Sequence, residues 1–105
     1  MENKFTLYLG LNDKDKKRQV VKTKKALKEL NGLLLGKYEL DGATIQEGNG
    51  VYKHQNGKTV KEKTIIITLL NVDEHIIMLI IRDLKKSFNQ ESILKEKAIM
   101  EYSFE

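Results

Sequence analysis

Four cationic side chains, Lys53, Lys58, Arg82 and Lys86, stand where they could meet a phosphate. Arginine offers a planar fork that matches phosphate oxygens in pairs. Arg82, one of two arginines, directly follows the run IIMLII and is the foremost of the four; it could equally pair with Asp83 beside it. Lys53 and Lys58 flank Asn56-Gly57, where lysines also serve to blunt a sheet edge. His54 could act as a base, but no nucleophile or paired carboxylate lies beside it in sequence. The chain has no phosphate loop, no Gly-x-Ser-x-Gly and no histidine pair at metal spacing. It also lacks cysteine, which removes thiol nucleophiles, disulfides and thiolate metal sites. The expectation is a non-enzymatic protein with no catalytic residues, no metal and no cofactor.

Those side chains need a frame. Phe5, Leu7, Leu9 and Leu11 alternate with Thr6, Tyr8 and Gly10, the period of a strand with one core face. Asn12 and Asp13 can open a helix, and Val20, Thr23, Leu27 and Leu30 recur at helical spacing over residues 13–31. Lys14, Arg18, Lys22 and Lys25 form a second stripe, read as a solvated face because Asp13, Asp15 and Glu29 dilute it. Asn31-Gly32 ends the helix, or the LLLGKY stretch continues it by a turn. A second strand begins over 43–47; Gly48 and Gly50 permit a bulge, and 51–54 resume it. Asn56-Gly57 predicts a type I′ turn with positive φ at both residues, after which 59–70 run back. Asn71 and Glu74 have capping-box spacing before a helix over 72–88, with His75 a structural residue in its first turn. Residues 92–104 alternate as a last strand. The order β-α-β-β-α-β predicts an α+β, ferredoxin-like fold: a four-stranded antiparallel sheet, both helices on one face, and a protruding ribbon between the second and third strands. Residues 1–105 form one such domain.

Hydrophobic residues make up 40% of the chain and charged residues 32%, the balance of a soluble globular domain. The net charge of +4 is a weak polyanion signal, since acids are interspersed among the bases. Met1 to Lys4 leads directly into a strand pattern, without a signal peptide, and Ile76–Ile81 is too short to span a bilayer. A cytoplasmic location without membrane partners is expected.

Tyr8 faces away from the helices, as the stacking aromatics of RNA-binding sheets do. Such sheets also need aromatics on the third strand, which here reads KTIIITLL, so nucleic acid is not an expected partner. If Ile65, Ile67 and Leu69 face the helices, then Ile66, Thr68 and Leu70 share the open face with Tyr8. That face is more apolar than a solvated one should be. Tyr8, Ile66, Thr68 and Leu70 are therefore expected to pack against another copy.

The stretch GATIQEGNGVY, followed by a protruding segment and EKTIIITLLNVDEHIIMLIIRDLKKSF, resembles the PII-like signalling proteins. Their second strand carries Gly-x-Thr-x-x-Glu-x-x-Gly, matched by Gly42, Thr44, Glu47 and Gly50. Small phage and prophage proteins of Gram-positive bacteria look similar; a phage origin would place the chain in host cytoplasm. The resemblance implies a homotrimer or other homo-oligomer that binds a small anionic, nucleotide-like ligand between subunits. The ligand-binding positions so implied are Glu47, Gly48, Gly50 and Tyr52 at the loop base and Asn89 after the second helix, joined by Lys53, Lys58, Arg82 and Lys86. The family's glycines are absent from Phe88–Ser92. A viral anti-defence protein that sequesters signalling nucleotides is a natural job for such a scaffold. The alternative is an interaction module or inhibitor that docks a host protein through its sheet face or its ribbon.

Overall fold

Alternation sets the sheet. In Glu2–Gly10 (β1) Phe5, Leu7 and Leu9 are fully buried, and in Thr59–Leu70 (β3) Ile65, Ile67 and Leu69 lie opposite them in antiparallel register. Thr44–Lys53 (β2) pairs with the outer edge of β3, and Leu94–Met100 (β4) with the other edge of β1, giving the order β2-β3-β1-β4. Two helices cover the apolar face: Thr23–Asn31 (α1) contributes Ala26 and Leu30, and Glu74–Ser87 (α2) contributes Ile77, Ile80, Ile81 and Leu84. Each buried Leu or Ile stabilises the fold by about 1.5–3 kcal/mol. These elements, in a computed structural model that describes residues 2–105, form the ferredoxin-like α+β fold that the sequence periods predict.

Several element ends differ from expectation, each for a local reason. Helix α1 starts at Thr23, not Asp13. The Asp13 carboxylate accepts from the Asp15 and Lys16 amides, both at 2.9 Å, and so closes a turn instead of capping a helix. Lys17 takes φ 59°, the Asp13 amide donates to the Arg18 carbonyl at 2.8 Å, and Asn12 bridges Gln19, so the chain doubles back. Val20 and the Lys14–Arg18–Lys22 stripe thus lie outside any helix. Past Asn31 the chain does continue, as a π-helical turn over Gly32–Lys37 closed by Tyr38 N–H on the Leu33 carbonyl at 3.1 Å. Helix α2 is capped by Asp73, which accepts from the His75 amide at 2.8 Å, rather than by Asn71; Glu74 instead bonds Lys97 at 2.9 Å. The His75 side chain is exposed. Strand β4 ends at Met100; Tyr102 and Phe104 leave the sheet and meet edge to face, 5.6 Å between centroids.

The ribbon pairs without a bulge from Thr44–Thr68 to Lys53–Thr59. Gly48 and Gly50 make room rather than a kink. A Cβ on Gly50 would stand 3.0 Å from Thr64 Oγ1, and one on Gly48 3.3 Å from Ile66 Cδ1. At the tip, His54 N–H donates to the Lys58 carbonyl at 2.9 Å, and Gly57 alone takes positive φ, at 83°. This is a three-residue loop with glycine at the left-handed position, not the two-residue type I′ turn.

Candidate active site

Even-numbered residues of β2 and β3 point to the face opposite the helices. Pairing across the ribbon therefore sets Tyr52 beside Val60, with Glu62 one step nearer the sheet. The doubled-back loop after β1 and the segment Gln90–Ser92 after α2 rise at the same end. Together they enclose a cleft of about 450 Å³, within the usual range for small-molecule sites.

Glu62 is seated closely in it. Its carboxylate lies flat over Gly10, where an added Cβ would come within 2.5 Å of its Cδ. The Asn12 amide donates to its Oε2 at 2.9 Å, which fixes its direction. Gln90 ties the opposite wall to this one: its side-chain amide donates to the Asn12 carbonyl at 2.7 Å and to the Phe88 carbonyl at 3.2 Å. Asn89, at φ 48°, adds side-chain bonds to Asp13 at 3.0 Å and Asp15 at 2.8 Å. The Asp13 carboxyl is held below the usual carboxylate range, first by the Lys16 amide and then by Asn89. Partial burial, and secondly the Glu62 charge, push the Tyr52 phenol upward, so it is a neutral hydroxyl donor at neutral pH. Its ring meets the His54 ring edge to face, 5.6 Å between centroids. A fixed carboxylate, a neutral phenol and an imidazole thus share one open cleft. Such a set can hold a cationic ligand group or move a proton. Among the described residues no group of three His, Asp or Glu side chains is disposed to hold a metal ion.

The residues singled out in the sequence divide among several places. Tyr52 lines this cleft, and Gly48 and Gly50 lie on the same sheet face leading to it. Glu47 and Lys53 are exposed on the opposite face of β2, and Lys58 is exposed at the ribbon tip. Arg82, Lys86 and Asn89 line a separate cleft on the outer flank of α2. Tyr8, Ile66, Thr68 and Leu70 share the open sheet face, Tyr8 directly opposite Ile66. The Tyr8 hydroxyl donates to Glu96 at 2.6 Å, which raises its pKa and ties its ring down on the sheet. Sequence reading missed Glu62, Asn12 and Gln90. The alternation of β3 carries the signal for Glu62: counting back from Ile66 and Thr64 puts it on the Tyr52 face.

The fold defines a class: a ferredoxin-like α+β domain, here with a carboxylate-bearing cleft beside its ribbon. The chain belongs to the family described as a protein of unknown function, DUF3574, whose model matches residues 4–104. A search of curated proteins finds no match. Among solved structures, a phage SAM lyase in complex with S-methyl-5′-thioadenosine is similar at 20% identity and a TM-score of 0.72, over 92% of this chain and 80% of that one. The same kind of enzyme, a phage SAM lyase in its apo state, aligns with a TM-score of 0.66 at 20% identity, over 91% of this chain and 78% of the other. The expectation of a non-enzymatic protein is thereby corrected. It rested on missing motifs, and a close match in fold is an enzyme whose chemistry no short motif announces here. The likeness establishes the shared fold, and the PII-like family itself is not what the chain matches. Among the described residues no helix is long and apolar enough to cross a membrane.

Proposed function

We propose that the protein is a lyase acting on a sulfonium nucleoside of the SAM class, with the Glu62–Tyr52 cleft as its active site. The observation that carries this reading is the seat of Glu62: a carboxylate laid over Gly10, aimed by the Asn12 amide and facing a cleft of nucleoside size. A sulfonium is a cation, and a carboxylate beside an aromatic ring suits a cation. This replaces the small anion suggested by the family resemblance. Cleaving a carbon–sulfur bond of a sulfonium leaves the bonding pair on sulfur as a neutral thioether. The carbon fragment must then gain a new bond, by losing a proton to a base or by attack of an internal nucleophile. Glu62 is the pre-oriented carboxylate for either task, as base or as the group that holds the reacting cation in place. Tyr52 supplies a ring face and a neutral hydroxyl donor. The fold shared with a phage SAM lyase supports the substrate class.

The assembly belongs to the same proposal. The cleft is open on one side, and Ile66 and Tyr8 lie beyond the Thr64–Gly10 pair on the same open face. A homo-oligomer built on that face would close the cleft with a second copy. The test is to incubate purified protein with S-adenosylmethionine and follow S-methyl-5′-thioadenosine by chromatography. Product from wild type and none from Glu62→Gln is the expected result. Failure of wild type both to form product and to bind S-methyl-5′-thioadenosine in calorimetry overturns the reading.

A further inference from the structure

Lys14 of the doubled-back loop and Arg82, Lys85 and Lys86 of α2 edge a second cleft, of about 520 Å³, floored by Met78 and Ile81. No acidic residue lines it. Lys14 is held there, because its amide donates to the Asn89 carbonyl at 3.1 Å. The nearby Asp13 and Asp15 carboxylates are engaged by the Asn89 side chain. Arg82 has Asp83 at 3.8 Å, but the same carboxylate is already bonded to Lys37 at 2.8 Å and to Tyr38 at 2.5 Å. Among the described residues, Lys14, Lys85 and Lys86 form no ion pair within 4.0 Å. The dipole of α2 accounts for basic residues in its last turn. It does not account for Lys14, brought in from a distant segment, or for the half-exposed Met78 beneath the cations.

We propose that this cleft binds a compact oligophosphate anion, separately from the Glu62 cleft. The guanidinium of Arg82 can grip phosphate oxygens in pairs, and three lysines add point charges around one concavity. Arg82, Lys85 and Lys86 share one turn of α2, and Lys14 reaches the same cleft from the doubled-back loop, so the charge is confined to one place, which suits a small anion better than a polymer. Met78 and Ile81 provide an apolar floor for the base when the phosphates belong to a nucleotide. Lys14 and Gln90 line both clefts, so an anion held by Lys14 bears on the wall of the Glu62 site.

Titration calorimetry with inorganic tripolyphosphate and with ADP, at about 150 mM salt to suppress diffuse attraction, tests the site. Both should bind; tighter ADP binding would assign a nucleotide as the source, and equal binding a free oligophosphate. Arg82→Gln and, separately, Lys85→Gln should each weaken binding about tenfold, while Lys28→Gln on exposed α1 should leave it unchanged. No binding of either probe, or equal weakening by all three variants, overturns the proposal. So does a single-stranded oligonucleotide that binds more tightly than both probes and is unaffected by Arg82→Gln. Tripolyphosphate carries no nucleoside, so its outcome is independent of the lyase reading, and ADP binding is assigned to this cleft only where Arg82→Gln weakens it.

Discussion

Gly10→Ala isolates the contribution of the Glu62 seat. The new Cβ would stand 2.5 Å from the Glu62 Cδ and its Oε1, and 2.6 Å from Oε2. Ordinary contact needs about 3.5 Å between heavy atoms, so the carboxylate must retreat by about 1 Å. The obstructing atoms are the far end of a flexible side chain, so the backbone of β1 need not move. Losing the 2.9 Å bond from the Asn12 amide costs about 1 kcal/mol. Alanine in a strand recovers about 0.5–1 kcal/mol relative to glycine. Net stability should therefore change little, with a melting temperature within about 5 °C of wild type. The proposed lyase turnover should respond quite differently, because a misplacement of about 1 Å costs about a hundredfold in rate. The assay is turnover of S-adenosylmethionine beside a thermal melt on the same sample. Wild-type turnover in Gly10→Ala would refute the argument that Glu62 must lie flat on Gly10. A collapse in melting temperature would refute the argument that only the side chain yields.

Ile66→Lys puts a charge in the middle of the open face and should dissociate or aggregate the assembly; light scattering that shows wild type as a well-behaved monomer at micromolar concentration would refute this. Replacing the segment between Gly50 and Lys63 with a tight turn removes Tyr52 and Glu62 together. It should leave the melting temperature nearly unchanged while abolishing nucleoside binding in calorimetry, and retained binding would place the site elsewhere. Asp83 has its carboxyl held low, first by the bond from Lys37 and then by that from Tyr38. A lowered folded pKa stabilises the protein above the unfolded value, and that contribution disappears as pH falls through the folded value. Melts of wild type and Asp83→Asn should therefore differ most at neutral pH and converge well below about pH 4. Parallel, offset curves would show that no part of the stability is linked to the ionisation of Asp83, and coincident curves that the bonds contribute nothing.

The architecture was legible because strands and buried helix faces leave strong periods. Ile65, Ile67 and Leu69 against Ile66, Thr68 and Leu70 fixed both the inner face and the register's parity. The start of α1 was not legible, because an aspartate that closes a turn and one that caps a helix look alike in sequence. Only the tertiary bonds of Asp13 to its own loop and to Asn89 distinguish them. The site was half legible. Tyr52, implied by a family pattern, lines the Glu62 cleft, yet the same pattern implied Asn89, which lies at a different cleft beside Arg82 and Lys86, two residues singled out for their charge. Glu62 looked like one charge among many in KEKT, and its seat depends on a glycine in another strand.

The bonds of Asn89 and Gln90 to the early loop carry a consequence for the order of events in folding. Gln90 reaches Asn12 across 78 positions, and Asn89 reaches Asp13 across 76. Such closures lose chain entropy before they gain anything from contact. The β2–β3 ribbon, by contrast, needs only its own three-residue loop and can zip early. During synthesis the ribbon wall, with Tyr52 and Glu62, therefore precedes the facing wall. The facing wall stays unfastened until the residues following α2 have emerged, so in a growing chain the ribbon should stand in place well before the cleft it edges is closed.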